Sequence, residues 1–122
     1  MKNNSQQQGL EGEILARNYL LKSGYEVLEL NWRYKKYEID IIAKKDETMV
    51  FVEVKTRKSN TFGEPELFVT KQKQSFLIIA ANKYIIENNI DLESRFDIIA
   101  VIQFNNNYTV KHLEAAFYSL VK

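Results

Sequence analysis

The chain has 122 residues, of which 45% are hydrophobic and 27% are charged, and its formal net charge is +1. This length is typical of one domain with a single core, and the composition is that of an ordinary globular protein. The absence of cysteine excludes disulfides and thiolate metal sites, and the single histidine excludes a histidine-rich zinc centre. Any metal site must therefore depend on carboxylates.

The N-terminal residues and the net charge predict the domain boundaries, the location and the attraction to nucleic acid. Residues 1–8 are polar and hold no apolar segment of a secretory signal, so we predict a disordered polar tail there, a single domain over 9–122 and a cytoplasmic location. No apolar stretch is long enough to span a membrane. The near-neutral charge predicts no overall attraction to nucleic acid. Basic residues nonetheless cluster locally at Lys35–Lys36, Lys44–Lys45, Lys55 with Arg57–Lys58, and Lys71 with Lys73.

Apolar residues recur at three- and four-residue steps from Gly9 to Gly24, which predicts a first helix. Glu13 falls on the apolar arc of this helix, and Arg17 lies beside it one turn later. A glutamate on such an arc is costly unless it is paired or bound to a metal. Glu13 is therefore either a structural partner of Arg17 or a third acidic group for the site described below.

The segment Tyr25–Tyr34 alternates loosely between apolar and polar residues and predicts the first strand. Its far end is polar and basic. Trp32 and Tyr34 are interpreted as packing residues in preference to base-stacking residues.

The segment Glu38–Arg57 predicts a β-hairpin, because two alternating stretches flank a polar centre. A two-residue turn at Asp46–Glu47 would place Asp40 opposite Glu53. The same register places Glu38 opposite Lys55 and gathers all four charged side chains on one face. The other face, with Ile39, Ile41, Val52 and Val54, is predicted to be core.

Two carboxylates facing each other across the hairpin call for a compensating charge. At about 5 Å, two full negative charges repel by roughly 3 kcal/mol at an effective dielectric of about 20. A divalent cation such as Mg²⁺ would offset the repulsion, and Lys55 would reach the same site. The alternative interpretation is a solvated face of cross-strand ion pairs.

A second helix is predicted from an N-cap at Thr70 to about Asn88, after a loop over 58–65. Lys71 and Lys73 lie in its first turn, where they oppose the helix dipole. They would be favourable there if they met an anion such as a phosphate, and a solvated helix end is equally compatible.

The segments Arg95–Phe104 and Tyr108–Leu113, separated by a run of asparagines, predict a second hairpin whose first strand is central in the sheet. His112, near a strand end, is assigned a structural hydrogen-bonding role in preference to catalysis. Ala115–Leu120 is predicted to form a short terminal helix or coil that packs on the sheet.

The order of these elements, with Glu13, Asp40 and the run Glu53-Val54-Lys55, resembles the core of the PD-(D/E)xK nuclease superfamily. More of the chain looks like the YraN-like family of small bacterial proteins, which is itself similar to archaeal Holliday junction resolvases. The further residues that carry this resemblance are Gly9, Ala16, Tyr19-Leu20, Gly24-Tyr25, Asn31, Arg33, Glu38 to Ala43, Val52 to Arg57, Phe62-Gly63, Arg95-Phe96-Asp97, His112 and Phe117. Ile39 stands in place of the superfamily's proline, and Tyr37 in place of an expected glycine.

The resemblance implies an α/β (α+β) fold with a restriction-endonuclease-like core, in which an α-β-β-β-α-β order builds a mixed central sheet flanked by helices. It also implies that Asp40, Glu53 and the Val54 carbonyl bind Mg²⁺ or Mn²⁺. Glu13 would be an accessory acidic group, and Lys55 would orient or activate the attacking water and stabilise the negative charge that develops on the phosphorane.

These observations predict a metal-dependent endonuclease that hydrolyses phosphodiester bonds in DNA, with branched or junction DNA as one substrate class and a homodimer as one assembly. The alternative is a catalytically silent module on a nuclease fold that binds nucleic acid or protein. The residues expected to contact nucleic acid are Arg33, Lys35, Lys36, Arg57, Lys58, Lys71 and Lys73.

Overall fold

Two helices and five strands make up the part of the chain that the computed structural model describes, residues 4–58 and 69–118. The elements are α1 Asn4–Lys22, β1 Glu26–Tyr34, β2 Tyr37–Lys45, β3 Thr48–Lys58, α2 Lys71–Glu87, β4 Glu93–Phe104 and β5 Asn107–Phe117. The first helix begins at Asn4, ahead of the predicted start at Gly9. The loop predicted over 58–65 lies, apart from its first residue, outside the described residues.

The strands form one sheet in chain order, β1-β2-β3-β4-β5. Strands β3 and β4 are parallel, and every other neighbouring pair is antiparallel. Parallel neighbours need a crossover connection, which α2 supplies. A mixed five-stranded sheet flanked by two helices is consistent with the restriction-endonuclease-like core that the sequence predicts.

The hydrophobic core has two layers, one on each face of the sheet. Ala16 and Leu20 of α1 pack on one face, and Leu77 and Ala81 of α2 pack on the other. The central strands are therefore buried on both sides, and near-continuous apolar runs such as Ile98–Val101 meet both layers.

One prediction about the hairpin faces is wrong. Ile39 packs in the α2 layer with Phe51, whereas Ile41 and Val52 pack in the α1 layer. The middle of the hairpin is thus buried on both faces instead of having one core face and one charged face. Residues two apart share a face in a regular ladder, but the ladder of β2 with β3 ends at Ile41 and Val52, and Ile39 lies beyond it.

The register predicted for β2 and β3 is confirmed. The ladder runs from Lys45–Thr48 to Ile41–Val52, and Asp46, with φ of 54°, makes the turn. The last ladder pair directly precedes Asp40 and Glu53, which therefore lie where the two strands leave the ladder.

The second helix and the second hairpin form as predicted, but the segment that follows the hairpin does not. The side chain of Thr70 caps α2 by accepting a hydrogen bond from the backbone N–H of Lys73, as predicted. Strand β5 continues to Phe117, which pairs with Phe96. The terminal helix or coil predicted over Ala115–Leu120 is therefore wrong for 115–117, and residues 119–120 lie outside the described part.

Within the described ranges, neither helix is both long enough and apolar enough to cross a membrane.

Candidate active site

The central pair of the candidate site is Asp40 on β2 and Glu53 on β3. Oδ2 of Asp40 accepts a hydrogen bond from the backbone N–H of Val54 at 2.8 Å, so the carboxylate occupies the position where the ladder would otherwise continue. Glu53 is only 7% exposed, and its Oε1 is buried without a hydrogen-bond partner. A buried acceptor of this kind carries a free-energy cost that a ligand can relieve.

The environment of Asp40 favours its protonated form. Burial raises the pKa of Asp40 to about 8, and the negative charge of Glu53 adds to the shift. The Val54 N–H opposes it, while the charges of Glu13 and Glu38 raise the pKa further. Near neutral pH, the pair therefore holds a proton unless a cation replaces it.

Two lysines stabilise the charged form of the neighbouring carboxylate. Burial raises the pKa of Glu53, and the positive charges of Lys73 and Lys55 partly oppose this. Nζ of Lys73, in the first turn of α2, lies 3.8 Å from Oε2 of Glu53. The anion that Lys73 meets in the fold is thus a carboxylate of the protein itself. From the sequence, only a phosphate or solvent was expected as the partner of this lysine.

Glu13 approaches the site from α1. The helix lies close to the end of β3, because a Cβ added at Gly12 would overlap Oγ1 of Thr56. The charge of Glu13 acts on Asp40, whereas within the described residues Glu13 forms no ion pair with Arg17. The pairing with Arg17 is therefore not seen among the described residues, and the role of Glu13 as a third acidic group of the site stays a prediction.

The arrangement suits a hard cation bound mainly by water. Among the residues that the structure describes, no three acidic, histidine or cysteine side chains converge as a metal-binding group. Mg²⁺ and similar ions are commonly held by one or two carboxylates and several waters. Asp40 and Glu53, with the unpartnered Oε1 of Glu53, fit that pattern. The Val54 carbonyl, which the family resemblance implies as a further ligand, stays a prediction.

The residues predicted to contact nucleic acid gather at the same end of the sheet as the carboxylates. Arg33, Lys35 and Lys36 surround the turn between β1 and β2, Arg57 and Lys58 end β3, and Lys71 and Lys73 begin α2. Arg33 pairs with Glu38 at 3.0 Å. Lys44 and Lys45 lie at the opposite end, where Lys45 donates to the carbonyl of Ser23.

The sequence model of the uncharacterised protein family UPF0102 matches residues 12–101 of this chain. The chain belongs to the UPF0102 family, the YraN family. A UPF0102 protein of Flavobacterium psychrophilum is 50% identical over 110 residues, covering 90% of this chain and 92% of that protein. A UPF0102 protein of Christiangramia forsetii is 46% identical, and the match covers 90% of this chain and 92% of that protein. A UPF0102 protein of Parabacteroides distasonis is 44% identical, and the match covers 91% of this chain and 92% of that protein.

The range matched by the UPF0102 model contains Glu13, Asp40, Glu53, Lys55 and Lys73. These residues come from α1, β2, β3 and α2, and the fold brings them to one end of the sheet.

A second polar cluster in this UPF0102 protein surrounds Asp97, which is fully buried. Arg95 donates to both of its carboxylate oxygens at 2.9 and 2.8 Å, and the backbone N–H of Ala115 donates to Oδ1 at 3.0 Å. Nε2 of His112 lies 2.7 Å from Oδ2, which confirms the hydrogen-bonding role predicted for the histidine. Asp97 was not among the predicted site residues, although the Arg95-Phe96-Asp97 run is part of the family resemblance.

Proposed function

We propose that this chain is a metal-dependent endonuclease that hydrolyses phosphodiester bonds in DNA, including branched or junction DNA. The observation that carries the proposal is the pair formed by half-buried Asp40 and buried Glu53 at the open end of the hairpin. One oxygen of this pair lacks a donor, and two lysine charges act on it. Strongly shifted carboxylates beside cations are typical of functional sites.

The cation would be Mg²⁺ or Mn²⁺, held by Asp40, Glu53 and the Val54 carbonyl. A bound ion of this type polarises a phosphoryl oxygen and makes a coordinated water more acidic. Lys55 would hold the attacking water and stabilise negative charge on the phosphate. Glu13 would add a further acceptor for the water shell.

The remaining basic residues would contact DNA phosphates. Lysine and arginine contacts of this kind position the backbone and make binding depend steeply on salt. Arg33, Lys35, Lys36, Arg57, Lys58 and Lys71 lie on the β1–β2 turn, the end of β3 and the start of α2. A homodimer would present two such ends to a substrate with two-fold symmetry, and sedimentation at micromolar concentrations would detect it.

The test is cleavage of labelled duplex, single-stranded and four-way-junction DNA with Mg²⁺ or Mn²⁺. Asp40→Ala and Lys55→Ala are each expected to reduce the cleavage rate by about 100-fold or more. Lys22→Ala is the matched control, since Lys22 is an exposed lysine at the far end of α1. Cleavage that survives either site substitution would contradict the assignment.

The rival function is a silent module that binds nucleic acid or protein. It predicts DNA binding that weakens steeply with salt, with no cleavage in either metal. Binding to cellular partners that does not respond to salt would instead favour a protein partner.

A further inference from the structure

An aromatic patch lies at the tip of the β1–β2 hairpin and is formed by Tyr34, Tyr37 and Phe76. The two tyrosines flank the turn at Lys35–Lys36 and face each other as a ladder pair. The ring of Phe76, from α2, lies 4.9 Å from that of Tyr37, centroid to centroid. All three side chains are half-buried, so each ring is held by packing and still meets solvent.

Lysine ammonium groups lie over these rings. Nζ of Lys35 and Nζ of Lys83 each lie 5.4 Å from the centre of the Tyr34 ring. Nζ of Lys36 lies 5.7 Å from the centre of the Tyr37 ring and 5.8 Å from that of Phe76. Cation–π contacts at exposed sites are worth only about 0.5–1 kcal/mol, so a ligand can displace the lysines without a large cost.

The net charge around the patch is positive. Arg33 adds a fourth basic side chain to the three lysines and pairs with Glu38. Glu87 pairs with Lys83 at 3.5 Å. The charges of Lys35 and Lys36 have no carboxylate partner among the described residues. A surface that combines flat rings with uncompensated cations is complementary to a polyanion with aromatic bases.

The patch adjoins the carboxylate site through α2. Lys73 contacts Glu53, and Phe76, one turn further along, contacts Tyr37. Three residues of helix span about 4.5 Å along its axis. If a nucleic-acid strand bound with one phosphate at Asp40 and Glu53, its neighbouring nucleotides would therefore lie over the patch.

We infer that the patch is a stacking surface for unpaired bases, so that the substrate class is nucleic acid with a single-stranded segment next to the bond that is cut. In a continuous duplex the base faces are stacked on each other and cannot reach protein rings. Unpaired bases can stack on aromatic side chains while lysines contact the backbone. The statement about cleavage rests on the proposed function, but binding of a single strand does not.

The experiment measures binding of the wild-type chain and its variants in EDTA, where a metal-dependent reaction cannot occur. The probes are a fluorescein-labelled oligothymidylate of about 12 nucleotides and a labelled blunt-ended duplex that has no unpaired bases. Tyr37→Leu and Phe76→Leu keep most of the packing volume and remove the ring. Tyr118→Leu is the matched control, because Tyr118 is 71% exposed and follows β5 at the opposite end of the sheet.

We expect each patch variant to weaken oligothymidylate binding by about fivefold or more and to bind the duplex as the wild-type chain does. The control variant should bind both probes as the wild-type chain does. Equal weakening for duplex and single strand, or no weakening, would overturn the inference. Equal competition by polyglutamate would also overturn it, since the surface would then bind any polyanion. If a Leu variant melts at a lower temperature, Tyr34→Leu gives a second test on the same patch.

The two proposals fail separately. Loss of oligothymidylate binding in the patch variants, with no cleavage in any metal, would support the stacking surface and reject the nuclease. Cleavage that depends on Asp40, with no effect of the patch variants on single-strand binding, would support the nuclease and reject the stacking surface.

Discussion

Nζ of Lys73 lies 3.8 Å from Oε2 of Glu53, and this contact joins the start of α2 to the end of β3. The two residues are separated in sequence by the segment 59–68, which lies outside the described residues. The lysine occupies a helix N-terminus, where the dipole opposes a positive charge. A buried carboxylate nearby explains why a cation is nevertheless favourable there.

Removal of this lysine should make the carboxylate pair hold its proton more tightly. Lys73→Met is expected to raise the pKa of Glu53, because the Lys73 charge lowers it in the native chain. Carboxyl carbon shifts followed by NMR across a pH titration would show the change. Lys71→Met is the matched control from the same helix turn, and an unchanged titration in Lys73→Met would contradict the role assigned to the ion pair.

Metal binding should compete with a proton. The pKa of Asp40 is raised to about 8 by burial and by the charge of Glu53, so below that pH a cation must displace the proton. Affinity for Mn²⁺ is expected to rise up to about tenfold per pH unit until about pH 8 and then level off. Calorimetry in buffers of different ionisation enthalpy would count the released proton.

An affinity for Mn²⁺ that did not depend on pH would mean that both carboxylates are already ionised in the free protein. Asp40→Asn is expected to abolish saturable binding altogether.

The same pair should make stability depend on pH. The pKa of Asp40 is higher in the folded than in the unfolded chain, so its contribution to stability is present below about pH 4 and is lost as the pH rises towards about 8. Asp40→Asn keeps an acceptor for the Val54 N–H and removes the charge. At about pH 8.5 it should raise the free energy of unfolding by about 1–3 kcal/mol.

Urea unfolding at acid and alkaline pH measures this difference. Asp91→Asn, at an exposed aspartate, should change neither value. Lower stability of Asp40→Asn at alkaline pH would show that the charged form of Asp40 is favoured by the fold.

The Asp97 cluster should have the opposite pH dependence. Burial alone would raise the pKa of Asp97, but the hydrogen bonds from His112, Arg95 and the Ala115 N–H lower it on balance. Its contribution to stability is therefore present above the unfolded pKa of about 4 and is lost as the pH falls through the lower folded value.

Asp97→Ala would leave the buried ring of His112 and the half-buried guanidinium of Arg95 beside an unfilled space, and should destabilise the fold by about 3–5 kcal/mol. Below about pH 4, the urea midpoint of Asp97→Asn should fall less steeply with decreasing pH than the urea midpoint of the wild-type chain. A variant as stable as wild type would show that the cluster does not hold β4 and β5 together.

The close contact of α1 with β3 gives a test of how Glu13 is positioned. Gly12→Ala would place a Cβ against Oγ1 of Thr56 and is expected to cost about 1–3 kcal/mol of unfolding free energy and to move Glu13 away from Asp40. Thr56→Ala removes the obstacle, and alanine is intrinsically better than glycine in a helix by about 1 kcal/mol.

The double variant Gly12→Ala with Thr56→Ala should therefore be more stable than Gly12→Ala alone. Chemical denaturation of the four chains of this cycle gives the coupling free energy. Simple addition of the two single effects would mean that the helix does not rest on Thr56.

Much of the secondary structure follows from local patterns. Thr70 marks the start of α2, and the polar Asp46–Glu47 turn sets the register of β2 and β3, because capping and turn formation depend on neighbouring residues. Local patterns failed where the position of a residue depends on a contact with a distant segment of the chain. Ile39 packs under α2 although its spacing matches Ile41, and Phe117 extends β5 because Phe96 is there to pair with it.

The sequence by itself determined that two acids and a lysine, Asp40, Glu53 and Lys55, lie towards one end of a hairpin, because the polar turn at Asp46–Glu47 separates two alternating apolar stretches. Only the tertiary structure decided that Glu53 is buried at this end, that Lys73 of α2 contacts it, and that Tyr37 meets Phe76 nearby. Burial and contacts between distant segments depend on how helices cover the sheet, and no spacing within a single strand contains that information.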